Sequence, residues 1–154
     1  MIAIRRANID DMPIVNELFR EYASRLGVDL SFQDFEKEMA SLPGKYSPPR
    51  GSILLAFNGE SPAGCVAMRA ISADIAEMKR LYVRPAFRER GAGRLLVSAI
   101  IEESRAAGYT SMRLDTLSSM EQAQALYRIF GFKEMPPYYR NPLEGAVYME
   151  LDLK

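Results

Sequence analysis

The densest chemical signal in the chain is Arg88-Glu89-Arg90-Gly91-Ala92-Gly93-Arg94. Two glycines spaced by one residue let the backbone turn sharply and let a ligand approach main-chain N–H groups closely. Where such glycines open a helix, the first-turn amides lack partners within the helix and the dipole is positive there. The ligand suited to that end is an anion, above all a phosphate. Arg88, Arg90 and Arg94 add charge and forked donors that match phosphate oxygens. Leu96 stands where a dinucleotide fingerprint has its third glycine, and no Gly-Lys-Ser/Thr follows, so neither the Rossmann nor the P-loop pattern is present.

Charge is placed to match. The chain of 154 residues is neutral overall, with 20 basic and 20 acidic side chains. Between Lys79 and Arg94, however, six basic residues (Lys79, Arg80, Arg84, Arg88, Arg90, Arg94) meet one acid, Glu89. This is a local anion site in a neutral protein, not the broad basic surface of a nucleic-acid binder. There is no histidine, which excludes a Ser-His-Asp triad, a Cys-His pair, a His-ligated zinc and histidine acid/base work. Catalysis here must rest on carboxylates, tyrosine, lysine, backbone dipoles or a co-substrate, and no metal is expected. The single cysteine, Cys65, allows no internal disulfide, in keeping with a reducing cytoplasm; mid-strand, it reads as a small buried hydrophobe. No signal-like or membrane-length apolar run occurs, so a soluble cytoplasmic chain of one domain over residues 1–154 is expected.

The elements that must position this turn follow from periodicity. Ile2 to Arg6 reads as a strand. A helix follows with Asp10 as N-cap and Met12, Val15, Leu18, Phe19, Tyr22 and Leu26 on its apolar face, ended by Gly27. A second helix is expected from about Ser31 with the Ser31…Asp34 capping pattern, carrying Phe32, Phe35 and Met39. Ser52 to Phe57, Ala63 to Ile71 and Ile75 to Val83 form a meander, with Asn58-Gly59 at the first hairpin. In the third of these strands Met78 is out of step with Leu81 and Val83, although all three look like core residues. A β-bulge near Lys79-Arg80 restores the register. A helix from Gly91 to Ala107, with Leu95, Leu96, Ala99 and Ile100 on one face, a strand from Ser111 to Thr116, a helix from Ser119 to Phe130 and final strands at Phe132–Glu134 and Ala146–Leu153 complete the chain. The fold class is α/β: one mixed, mostly antiparallel sheet with a central parallel strand pair and helices on both faces.

Leu81-Tyr82-Val83-Arg84-Pro85-Ala86-Phe87-Arg88-Glu89-Arg90-Gly91-Ala92-Gly93, with Leu126-Tyr127-Arg128-Ile129-Phe130-Gly131-Phe132 downstream, resembles the GNAT superfamily of N-acetyltransferases. The family's Gln/Arg-x-x-Gly-x-Gly/Ala pyrophosphate motif is matched by Arg88, Gly91 and Gly93. Its Leu-Tyr-x-x-x-Gly-Phe pattern is matched by Leu126, Tyr127, Gly131 and Phe132. Family members often carry asparagine seven residues before that tyrosine; this chain has Met120.

The resemblance implies acetyl-CoA, bound where two parallel strands splay apart. The main chain of Leu81, Tyr82 and Val83 would pair with the pantetheine arm, and the turn at Arg88, Glu89, Arg90, Gly91, Ala92, Gly93 and Arg94 would hold the diphosphate. Tyr127 stands where the family places a tyrosine facing the sulfur, a proton donor to the leaving thiolate. Glu77, on the splayed strand, is the first candidate base; Asp115, at the end of the neighbouring strand, is the second, and a water chain the third. The acceptor, a small amine, an amino acid or a peptide amine, is expected among Tyr46, Arg50, Asp115, Tyr138, Tyr139 and Asn141, on proline-bounded loops that display polar and aromatic groups. Exposed aromatics of that kind also suit a homodimer contact. The rival reading is an acyl-CoA-binding sensor or regulatory module without turnover.

Overall fold

The computed structural model describes residues 1–27, 29–31 and 34–154. Its regular elements are β1 (Ile2–Arg6), α1 (Met12–Leu26), α2 (Phe35–Ala40), β2 (Ser52–Asn58), β3 (Ser61–Ala70), β4 (Ile75–Val83), α3 (Ala92–Ala106), β5 (Ser111–Leu117), α4 (Glu121–Ile129), β6 (Lys133–Met135) and β7 (Ala146–Asp152). The strands form one seven-stranded sheet in the order β1-β2-β3-β4-β5-β7-β6. All neighbours are antiparallel except β4 and β5.

Alternation along the central strands divides the interior into two layers, as a sheet covered on both faces requires. Leu54, Ala56, Val66 and Met68 pack with Leu96, Val97 and Ile100 of α3 and Tyr127 of α4. Their neighbours Ile53, Leu55, Cys65 and Ala67 pack on the other face with Val15, Leu18 and Phe19 of α1 and Phe35 and Met39 of α2. Leu18 and Phe19 are wholly buried, each such side chain contributing about 1.5–3 kcal/mol of transfer free energy.

Local chemistry corrects several boundaries. Asn8, not Asp10, begins the first helical segment: its side chain accepts from Asp10 N, and Asp11 completes a capping box around a 3-10 turn that precedes α1. Helix α2 starts only at Phe35. Ser31 acts there through its carbonyl, which accepts the Asp34 amide at 2.9 Å, so the expected side-chain cap does not form; Phe32 lies outside the described residues. Asn58 pairs with Ser61, which moves the hairpin turn one residue on, to Gly59-Glu60. Leu95, expected on the core face of α3, is 43% exposed.

Candidate active site

Strands β4 and β5 stay together for only three residue pairs: Ile75 with Ser111, Ala76 with Met112 and Glu77 with Arg113. Both then run on, to Val83 and Leu117, without pairing to each other. The main-chain groups of β4 beyond Glu77 that point away from β3 therefore have no strand partner. A bulge sits at the same place. Lys79 is opposite Ala67 and Tyr82 opposite Cys65, so two residues of β4 face the single Val66, and Arg80 takes a φ of 63°. With the extra residue, Met78, Leu81 and Val83 all reach the α3/α4 layer despite their parity, while Tyr82 packs in the α1/α2 layer. Arg80 turns to the α1/α2 side too, its guanidinium 5.6 Å from the Tyr22 ring centre and 5.4 Å from that of Phe35.

After β4 a 3-10 turn (Pro85–Phe87) leads into the glycine segment, where Glu89 and Gly91 have φ of 64° and 81°. The first internal hydrogen bond of α3 runs from Leu95 N to Gly91 O at 3.0 Å, and no side chain caps the helix. The amides of Ala92, Gly93 and Arg94 are thus left without partners in the helix. Ala92 and Gly93 border a groove of about 930 Å³ whose walls also include Leu81, Val83, Arg88, Ala123 and Leu126. Arg88 donates from Nε to Val83 O at 3.1 Å, tying the turn to the end of β4. Arg90 and Arg94 are exposed and stand outside the groove walls, with Arg90 lying 5.9 Å over the Phe87 ring.

At the splay the groove meets a pocket of about 40 Å³, with Tyr22, Leu26, Leu81, Leu117 and Met120 shared between the two. Tyr127 enters this pocket from α4. Its hydroxyl has no hydrogen-bond partner among the described residues, and burial pushes its pKa up, with Tyr22 and Asp115 adding to the effect. The phenol is thus protonated at neutral pH and free to donate. Asp115 lines the same pocket from β5. Its Oδ2 accepts from the Tyr139 hydroxyl and, at 2.9 Å, from Asn141 Nδ2. Among the described residues nothing donates to Oδ1.

Glu77 is 2% exposed and its oxygens are engaged: Oε1 accepts from Arg69 Nε at 2.8 Å and Oε2 from the Tyr138 hydroxyl at 2.6 Å. Lys79 Nζ stands 4.0 Å from Oε1. Burial alone would raise the Glu77 pKa; the Lys79 and Arg69 cations and the two hydrogen bonds outweigh it and hold the group below the ordinary carboxylate value. For Lys79 the balance is reversed, since burial lowers its pKa by more than Glu77 restores.

The model of the acetyltransferase (GNAT) family matches residues 12–132. The chain belongs to the GNAT family of acetyltransferases, and is an N-acetyltransferase. A Schizosaccharomyces pombe protein described as an uncharacterized N-acetyltransferase is 44% identical over 148 residues, covering 95% of this chain and 89% of its own. A GNAT-family acetyltransferase of Staphylococcus aureus shares the fold, with a TM-score of 0.82, 18% identity and 100% of both chains covered. So does the PaiA N-acetyltransferase of Thermoplasma acidophilum, solved with coenzyme A, with a TM-score of 0.75, 21% identity and 99% of both chains covered.

In this GNAT chain the structure gathers Glu77, Asp115, Tyr127, Tyr138, Tyr139 and Asn141 around the splay. The three tyrosines Tyr138, Tyr139 and Tyr148 pack edge-to-face or tilted with ring centres 5.4–5.7 Å apart, and Tyr138 and Tyr139 strap the segment before β7 to one carboxylate on each splayed strand. Two expected acceptor residues are not brought there. Tyr46 is 1% exposed in the α1/α2 layer, edge-on to Phe19, and donates to Glu38 Oε1 at 3.0 Å; Glu38 also holds Arg80. Arg50 donates to Ala107 O and Ala73 O and covers the Tyr109 ring at 4.0 Å. It braces the C-terminal end of α3, about 20 Å from the phosphate turn by the helix rise. Cys65 is buried and its thiol pKa is pushed up, so it behaves as packing. Met120 accepts a weak hydrogen bond from Thr116 Oγ1 at 3.6 Å and lines both cavities, giving an apolar wall there. The structure also brings to the pocket Lys79, which the sequence placed only in the basic segment and at the bulge, and Tyr22, which it placed only on the apolar face of α1. The signal for Lys79 was its spacing of two from Glu77, which puts both on one face of β4.

Among the described residues no group of three or more acidic, histidine or cysteine side chains is placed to hold a metal ion, and no helix is long and apolar enough to cross a membrane.

Proposed function

We propose that this chain transfers the acetyl group of acetyl-CoA to a primary amine, with donor and acceptor bound together. The observation that carries the reading is a continuous path: free amides at the start of α3, an unpaired β4 edge, and a groove that ends at the unbonded hydroxyl of Tyr127. The main chain of Leu81, Tyr82 and Val83 would pair with the pantetheine arm. The amides of Ala92, Gly93 and Arg94, with the Arg88 charge beside them, would take the diphosphate. A GNAT of the same fold was solved with coenzyme A, which supports coenzyme A as the ligand of this groove.

Acetyl-CoA supplies an activated thioester, in which a C–S bond is exchanged for an amide C–N bond. An acceptor amine must be neutral to attack, and an unpaired main-chain N–H at the bulge can stabilise the oxyanion that develops. Of the two candidate bases, Asp115 suits the task better. Its Oδ1 is open to the pocket, whereas both oxygens of Glu77 are engaged and its pKa is held down. Glu77 then serves as the counter-charge that keeps Arg69, Lys79 and Tyr138 in place. Tyr127, kept protonated by burial, donates to the thiolate. No residue of the chain needs to be acylated on the way.

Calorimetric titration with acetyl-CoA, followed by thiol release over a panel of amines, tests the reading. Binding and turnover are expected. In Gly91→Val, which forces a β-branched residue to a φ of 81°, acetyl-CoA affinity is expected to fall about tenfold or more. Binding without turnover of any amine would replace the enzyme with the sensor.

A further inference from the structure

Two opposite charges face the pocket at the splay with bonding capacity unused. The first is the Lys79 ammonium. Its side chain is 5% exposed and it lines the pocket, yet its only carboxylate neighbour within 4.0 Å among the described residues is Glu77 Oε1, beyond hydrogen-bond distance and already taken by Arg69. The second is Oδ1 of Asp115, since both donors to that carboxylate go to Oδ2. The two side chains come from opposite walls of the splay and point to the same α1/α2 side of the sheet, but no ion pair forms between them among the described residues. Neither atom is sealed in the interior, since no buried side-chain N or O among the described residues lacks a hydrogen-bond partner; both open to the pocket, where a bound ligand can complete them.

We propose that the acceptor is a free α-amino acid, its carboxylate held by Lys79 and its amine by Oδ1 of Asp115. This rests on the acetyltransferase reading above and names the acceptor for that same site. An α-amino acid carries an amine and a carboxylate on one carbon, so it spans a cation and an anion that face each other across a small pocket. A polyamine or aminosugar would set a second ammonium against Lys79. A peptide N-terminus would offer only a neutral carbonyl. Beyond the two charges the walls include Tyr22, Leu26, Leu30 and Leu143, which suit an apolar amino-acid side chain; the other cation at the pocket, Arg80, is paired with Glu38. In the transfer, the amine nitrogen forms the C–N bond as the C–S bond breaks. The amine proton passes to Asp115 Oδ1 and the thiolate takes the Tyr127 proton; both residues recover by exchange with water. Engagement of Lys79 by the carboxylate would also orient the amine toward the donor side, where Tyr127 stands.

The test compares leucine, methionine and phenylalanine with their amides and decarboxylated amines in the thiol-release assay. The free acids are expected to exceed the amides about ten- to a hundredfold in kcat/KM, the scale of a charge-assisted contact. That preference is expected to collapse to within about threefold in Lys79→Met and in Lys79→Gln, with thermal melting confirming that each variant is folded. Amides turned over as well as free acids, or a preference surviving both substitutions, overturns the inference while leaving the acetyltransferase reading in place. Should no amine be turned over although acetyl-CoA binds, that reading fails. Calorimetry of the CoA-loaded protein then decides the inference separately: amino acids bound by the wild type and not by Lys79→Met support it, and no binding ends it.

Discussion

The Tyr138 hydroxyl donates to Oε2 of Glu77 across 2.6 Å, joining the segment before β7 to the inner face of β4 at the last residue where β4 and β5 pair. A carboxylate in that position holds this side of the splay together. Glu77→Gln removes the counter-charge of Arg69 and Lys79 and is expected to cost about 3–5 kcal/mol, the scale for breaking a buried pair by deleting one partner. Tyr138→Phe deletes only one bond to the charge and is expected to cost about 1.5–3 kcal/mol. Urea denaturation of both variants checks the order. A Glu77→Gln protein as stable as the wild type would contradict the anchoring role.

Asp115→Asn keeps the shape of the side chain and removes its capacity to accept a proton. Thiol release is expected to fall about a hundredfold, the usual scale for a lost general base, with acetyl-CoA affinity within about twofold of the wild type. A fall below about tenfold, measured at saturating amine, would return the base role to Glu77 or to water.

Tyr127→Phe removes a hydroxyl that has no partner among the described residues, so stability is expected to stay within about 1 kcal/mol of the wild type. The effect belongs in kcat, expected to fall about a hundredfold. Single-turnover thiol release, set beside a urea melt, separates the two. Unchanged transfer would reduce Tyr127 to a core aromatic packed 5.8 Å from Phe132.

Asp11 is one source of acid sensitivity: it accepts two hydrogen bonds from Arg5, at 2.7 and 3.0 Å, and one from the Asn8 amide at 2.8 Å. These bonds, the Arg5 bonds first, lower its pKa from 3.8 to about 2. Because the folded value lies below the unfolded one, the contribution is fully present above about pH 4 and is lost as pH falls toward 2. Asp11→Asn is expected to lower the urea midpoint at about pH 7, and the gap to the wild type should narrow at about pH 2.5. A gap that is equal at both pH values would count against the linkage.

Much of the architecture was legible because periodicity and turn chemistry are local. The parity conflict between Met78 and Leu81 located the bulge at Arg80, and Gly91 and Gly93 marked a helix start able to receive an anion. Errors fell where a side chain chose among several nearby backbone partners, as when Asn8 and not Asp10 capped the first turn. They also fell on polar loop residues, whose partners lie on other elements. Arg50 and Tyr46 have the residue types of an acceptor site, yet Ala107 and Glu38, respectively 57 and 8 positions away, claim them.

By itself the order of residues determined the element sequence, the phosphate-type turn and the family to which the chain belongs, since each depends on neighbours along the backbone. Only the tertiary structure decided which charges remain free. Glu77 and Asp115 are both carboxylates within the splayed strands, but the pairing of β3 with β4 and the return of the segment before β7 bring Arg69 and Tyr138 to the first and leave one oxygen of the second open. A proton acceptor is defined by the partners it lacks as much as by its own chemistry, and those partners come together only when the sheet closes.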